Sequence, residues 1–192
     1  AGAGSGKTRI ITARIALLLE EGVLPEQIIA VTFTRKAARE MQERVMNQSS
    51  LGRRVVIGTF HSVCARWLRE FSEHLGYETY FAIYDEKDSL TALKTTLEGM
   101  GLLGPNAVHT PKDYLHAISK AKIHAWMPKD VLEVQKHSSY AWMPKAFYEV
   151  YKAYQEYLAA CQAMDFSDLI LNVTHLLRSD PIVQETLHRR CR

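Results

Sequence analysis

An α/β fold built on a parallel sheet, interrupted by an all-helical insertion, is what this sequence predicts. Short β-rich runs at 28–33 and 55–58 each lead into a segment with helical apolar spacing, the alternation from which parallel sheets are built. From about Tyr84 such runs stop, and helical segments follow one another to Cys161. The chain also opens on a glycine-rich stretch, Ala1-Gly2-Ala3-Gly4-Ser5-Gly6-Lys7-Thr8, that runs straight into an apolar helix.

That opening fits the P-loop pattern, in which a glycine-rich turn and Gly-Lys-Thr start a helix. Gly2, Gly4 and Gly6 let the backbone turn its N–H groups toward a ligand without a Cβ in the way. Such a nest at a helix N-terminus attracts phosphate, because unpaired N–H groups and the helix dipole both favour negative charge. Ala1, Gly2, Ala3, Gly4, Ser5, Gly6, Lys7 and Thr8 are therefore candidate nucleotide-binding residues. Lys7, reaching the β/γ-phosphates, and Thr8, offering a hydroxyl to Mg²⁺, are the candidate catalytic pair. The plain alternative is a glycine-rich turn before a helix. A buried strand belongs immediately upstream, and residue 1 is already inside the motif, so the domain is expected to be incomplete there.

The first helix carries Ile10, Ile11, Ala13, Ile15, Leu17, Leu18 and Leu19 up to Glu21-Gly22. Ile28–Phe33 reads as a buried strand, and Arg35–Met46 as a helix with Ala37, Ala38, Met41 and Val45 at helical spacing. A loop over 47–52 precedes a strand at Val55–Gly58 and a helix from Thr59 to about His74. In the helical stretch, Asp85 with Asp88 starts a helix to Gly99 or Gly101, and Thr110-Pro111-Lys112-Asp113 opens another to about His124. Pro144 starts a third, reaching Cys161. A pentapeptide recurs, Ala125-Trp126-Met127-Pro128-Lys129 and Ala141-Trp142-Met143-Pro144-Lys145, giving two similar helix starts. Asp165 begins a helix to about Arg178, and Asp180-Pro181 caps the last one. The resulting organisation is 1–83, a helical insertion over 84–163, and a return over 164–192.

Apolar residues make up 47% of the 192 and charged residues 23%, the balance of an ordinary globular protein. No apolar run approaches the ~18–20 residues needed to span a bilayer. Cys64, Cys161 and Cys191 lack CxxC spacing, which argues against a zinc site or a disulfide framework. A cytoplasmic location with no membrane partner is the expectation. The net charge of +3 hides a concentration between Arg35 and Arg69, where eight Lys/Arg face two Glu. A localised basic stretch is the footprint of a phosphate-backbone partner, although solvated helix faces also collect such residues.

Three signatures in order resemble the UvrD/Rep/PcrA group of superfamily 1 helicases. Ala1–Arg9 is similar to that family's motif I, Val31-Thr32-Phe33-Thr34-Arg35-Lys36-Ala37-Ala38-Arg39-Glu40-Met41 to its motif Ia, and Gly58-Thr59-Phe60-His61-Ser62 to its next DNA-contacting motif. Ile118-Ser119-Lys120-Ala121-Lys122 and Met164-Asp165-Phe166-Ser167-Asp168-Leu169-Ile170 also sit where the family has related stretches. The resemblance implies a RecA-like P-loop motor domain (1A) carrying a helical insertion (1B). It implies a DNA helicase that uses ATP and Mg²⁺ and moves 3′ to 5′ on single-stranded DNA or duplex junctions, in repair, replication or recombination. The family's adenine-reading motif, its Asp-Glu-x-x-Asp run and its second motor domain do not occur in these 192 residues, so the chain by itself is expected to be inactive.

Carried over residue by residue, the resemblance makes Arg9 the cation stacked on adenine, a job that suits a flat guanidinium. It makes Phe33, Thr34 and Arg35, and likewise Thr59, Phe60 and His61, single-strand DNA contacts. These follow the two strands, on the usual ligand side of a parallel sheet. Phe33 is open to a second reading as core of a buried strand, and His61 to one as a capping or core histidine. Lys120 and Lys122 are expected to face DNA from the insertion, and Asp165 and Asp168 to cap and pack rather than to bind metal. Competing functions are a non-catalytic nucleotide- and DNA-binding module and an unrelated P-loop enzyme. The latter has no reason to carry both the Phe33 and His61 signatures.

Overall fold

The computed structural model of the chain describes residues 6–105, 107–134 and 146–190. They fall into two compact units, one drawn from 1–67 and 176–192, the other from 68–175. No helix among the described residues is long and apolar enough to cross a membrane.

In the first unit, β1 (Ile29–Thr32) and β2 (Val56–Thr59) run parallel, with Ile29 opposite Val56 and Thr32 opposite Thr59. Around them lie α1 (Lys7–Glu20), α2 (Arg35–Gln48), the start of α3 (Phe60–Glu70) and α9 (Pro181–Arg190). Ile15 and Leu19 of α1 meet Met41 and Val45 of α2 over Ile28 and Val55 to form the core. The four-residue step from Met41 to Val45 keeps both on one helix face, as the apolar spacing predicts. Asp180 accepts from the N–H groups of Ile182 and Val183, capping α9 as predicted.

The second unit contains α4 (Glu86–Gly99), α5 (Pro111–Ile123), α6 (Pro128–Val134), α7 (Phe147–Ala160) and most of α8 (Phe166–Ser179). Leu93, Leu97, Ile118, Phe147, Tyr151, Tyr154 and Leu158 fill its core, all with no measurable exposure. Burying a side chain of this size contributes roughly 1.5–3 kcal/mol. Both predicted helix starts are reciprocal capping boxes. Asp85 and Thr110 each accept from the N–H group three residues on, while Asp88 and Asp113 reach back. Pro128 opens α6, and Asp130 accepts from the Met127 N–H at 2.8 Å. The second copy of the pentapeptide, including Pro144, lies outside the described residues.

Two short strands were not predicted. β3 (Ala82–Tyr84) and β4 (Ala163–Asp165) pair in parallel, Ala82 opposite Ala163 and Tyr84 opposite Asp165. Three residues are too few to display a two-residue period, so such strands leave almost no trace in sequence. The predicted helix to His74 also breaks. α3 ends at Glu70, and a 3₁₀ turn over Ser72–Leu75 closes on Gly76 in the left-handed region.

Candidate functional site

Of the P-loop, Ala1 to Ser5 lie outside the described residues. Gly6 is the N-cap of α1 with φ +74°, a conformation that favours glycine although a Cβ there would touch nothing. Ile10 N–H donates to its carbonyl at 3.1 Å, which fixes the first helical turn. Among the described residues no side chain caps this end and the first turn holds no acidic residue, and the first amides of an α-helix have no acceptor within the helix itself. That is the electrostatics an anion needs. Thr8 is half-buried in the same turn and Arg9 is exposed. Among the described residues no group of His, Cys, Asp and Glu could hold a metal ion.

The remaining candidate residues gather at the C-terminal ends of β1 and β2. Each strand ends in threonine and is followed by phenylalanine, Thr32-Phe33 and Thr59-Phe60, and Thr32 and Thr59 are register partners. The parallel register therefore sets the two rings side by side, with centroids 5.8 Å apart and planes tilted by 44°. Phe33 is 93% exposed and Phe60 44%. The reading of Phe33 as strand core is thus wrong: β1 ends at Thr32, and the ring stands in solvent beyond it.

Local hydrogen bonds hold this edge. Thr34 is the N-cap of α2, its hydroxyl accepting from Ala37 N–H at 3.1 Å, while the Thr32 hydroxyl donates to the Thr34 carbonyl at 3.0 Å. Arg35 follows as the first residue of α2 and is exposed, as is His61. Two aromatic faces, an arginine and a histidine on one strand edge can stack bases and meet backbone phosphates.

The profile of the UvrD/REP helicase N-terminal domain matches this chain over residues 1–192. The chain belongs to that family. Among curated proteins it is 38% identical over 187 residues to the "ATP-dependent DNA helicase PcrA" of Staphylococcus aureus (strain Mu50), covering 96% of this chain and 25% of that protein. It is also 38% identical over 183 residues to the protein of the same name from Staphylococcus epidermidis (strain ATCC 35984), covering 94% of this chain and 24% of the relative. This member of the UvrD/REP family thus spans about a quarter of the length of the curated relatives it matches.

Two further stretches of family resemblance meet in the second unit, in a way the sequence reading missed. Lys122 is not turned to solvent. Its ammonium has no exposure and donates to Asp165 Oδ2 at 2.6 Å and Asp168 Oδ1 at 2.7 Å. Only Lys120 of the predicted pair is exposed. Tyr154 OH donates to Asp165 at 3.1 Å and Gln155 Nε2 to Asp168 at 3.0 Å. The two aspartates also exchange backbone bonds, Asp165 N–H to Asp168 at 3.1 Å and Asp168 N–H to Asp165 at 2.8 Å, which caps α8 as predicted. Burial pushes the Asp168 carboxyl above the usual carboxylate range, with Lys122 opposing. Burial acts on Asp165 too, but its ion pair and hydrogen bond with Lys122 hold it below. Burial, and then the nearby Asp168 and Asp165, push the Tyr77 hydroxyl up to about 12. A signal was available: Lys122 lies four residues after Ile118, on the face that α5 buries.

Proposed function

We propose that this chain is the part of an ATP-dependent DNA helicase that binds Mg·ATP at its P-loop and single-stranded DNA across the ends of β1 and β2. The observation that carries the reading is the Phe33–Phe60 pair, two aromatic rings held at the ligand edge of a parallel sheet and left in solvent. Neighbouring exposed aromatic rings offer a stacking platform, and stacking on bases is worth about 1–3 kcal/mol per base and tolerant of sequence. Arg35 and His61 beside them meet phosphates, which position a strand without reading it.

In this reading the first unit belongs to a RecA-like 1A domain, and residues 84–163 form the 1B insertion, bounded by the paired strands β3 and β4. Gly4, Ser5 and Gly6 would supply amides to the phosphates, Lys7 would neutralise them, the Thr8 hydroxyl would be a ligand to the magnesium ion, and Arg9 would stack on adenine. The ion adds charge stabilisation at the transferring phosphate when bound. A second motor domain closes on the nucleotide and passes the strand along the Phe33 edge, 3′ to 5′, at junctions met in repair, replication or recombination in the cytoplasm. Because phosphoryl transfer depends on a general base and arginine fingers, which this reading assigns to an Asp-Glu-x-x-Asp run and a second motor domain not among these residues, the 192-residue chain alone hydrolyses almost no ATP.

The test is single-strand affinity measured against salt, with Arg35→Ala and His61→Ala combined. A steep salt dependence that flattens in the double variant is expected. A flat response in the unaltered protein, or none to the substitutions, defeats the DNA reading. Steady DNA-stimulated turnover by the 192 residues alone defeats the claim of inactivity.

A further inference from the structure

Resting on that DNA reading, we propose that Ser62 is a positioning residue: its hydroxyl braces the turn from β2 into α3 and so sets where Phe60 and its neighbours meet the strand. β2 passes into α3 with no loop between them, since Thr59 is the last strand residue and Phe60 the first helical one. Packing of Val63, Cys64 and Ala65 anchors the body of α3, and the turn itself is closed by local bonds that Ser62 makes. Its Oγ accepts from Thr59 N–H at 2.8 Å and from the Thr59 hydroxyl at 3.2 Å, and donates to the Thr59 carbonyl at 2.9 Å. In return, Ser62 N–H donates to Thr59 Oγ1 at 3.2 Å.

This is the reciprocal logic of a capping box, with serine in place of the longer Glu or Gln at the third helical position. A short side chain there must come close to the strand, and Gly58 is what admits it. A Cβ on Gly58 would stand 2.5 Å from Ser62 Oγ, too near for both to keep their places. The amide and hydroxyl of Thr59 are both spent on Ser62, so Thr59 frames the edge, and the face presented to DNA is left to Phe60 and His61. Thr34 does the same duty for the β1 turn from its own N-cap position.

The measurement is binding of a fluorescently labelled oligo-dT by the intact protein, with circular dichroism to confirm folding. Ser62→Ala is expected to weaken binding about five- to tenfold, the size of a lost cap converted to affinity. Gly58→Ala, which keeps the serine but expels its hydroxyl from this position, weakens it similarly, and the double variant is no worse than either single one. Ser62→Gln, which restores a capping side chain without a hydroxyl, returns affinity to within about twofold. The brace is overturned if Ser62→Ala and Gly58→Ala bind like the unaltered protein, or if Ser62→Gln binds as weakly as Ser62→Ala, which would make the hydroxyl a direct DNA contact. Phe33→Ala separates the two levels. If it weakens binding while the Ser62 and Gly58 variants do not, only the brace fails; if it too has no effect, the DNA reading fails with it.

Discussion

The two units each concentrate polar and charged residues at a strand-to-helix turn, and treat them in opposite ways. At the ends of β1 and β2, Phe33, Phe60, Arg35 and His61 stand in solvent, while the threonine and serine hydroxyls beneath them satisfy the backbone. At the end of β4, Lys122, Asp165 and Asp168 are removed from water and spend their charges on one another. An exposed charge contributes little to stability. A buried triad is already partnered, and breaking it leaves an uncompensated charge in a poor dielectric. Motif-like residues therefore do not all mark ligand contacts. Lys120 and Lys122 come from one five-residue stretch and fall on opposite sides of that division.

Substitutions should split along this line. Lys122→Met is expected to have the largest effect, a loss of about 3–5 kcal/mol in chemical denaturation, with single-strand affinity of the folded protein retained. Equal stability of variant and parent would remove the contrast. Phe33→Ala should do the reverse, costing about 1–3 kcal/mol of single-strand affinity and nothing measurable in stability. An unstable Phe33→Ala protein would mean that the ring is structural after all.

The triad also predicts a pH signature. Asp165, held low when folded, contributes stability that is present at neutral pH and lost as pH falls through its folded value. Asp168, pushed up, contributes in acid and loses that contribution as pH rises from about 4 through its folded value. Denaturation across pH should therefore show Asp168→Asn gaining on the parent protein as pH rises from about 4, and Asp165→Asn losing ground on leaving strong acid. Parallel pH profiles would break the assignment. The smallest effect belongs to Arg35→Ala, which should reduce the slope of log affinity against log salt by about 0.7, one phosphate's worth on a single strand.

Features written in a few neighbouring residues were legible. Thr110-Pro111-Lys112-Asp113, Asp85 with Asp88, and Asp165 with Asp168 read as helix starts because a capping box is a contact over three positions. The alternation of strand and helix around Phe33 and His61 was legible for the same reason. β3 and β4 were not, since they exist only by pairing across the whole helical stretch between them. Nor was the brace at Ser62, because a serine at the third helical position is not the Glu or Gln that usually announces a capping box.

By itself, then, the sequence determined the helix caps, the order of the motifs and the residue types available at each strand end. The tertiary structure decided which of those residues face each other. It set Phe33 against Phe60 through the parallel register of β1 and β2. It also turned Lys122 inward to Asp165, 43 residues away in the chain, and to Asp168 beyond it, while Lys120 stayed outside. On a helix, residues two apart point some 200° apart, so the two lysines lie on different faces of α5, one exposed and one buried. That Lys122 shares a face with the buried Ile118 was local information; that Asp165 and Asp168 stand opposite it was not.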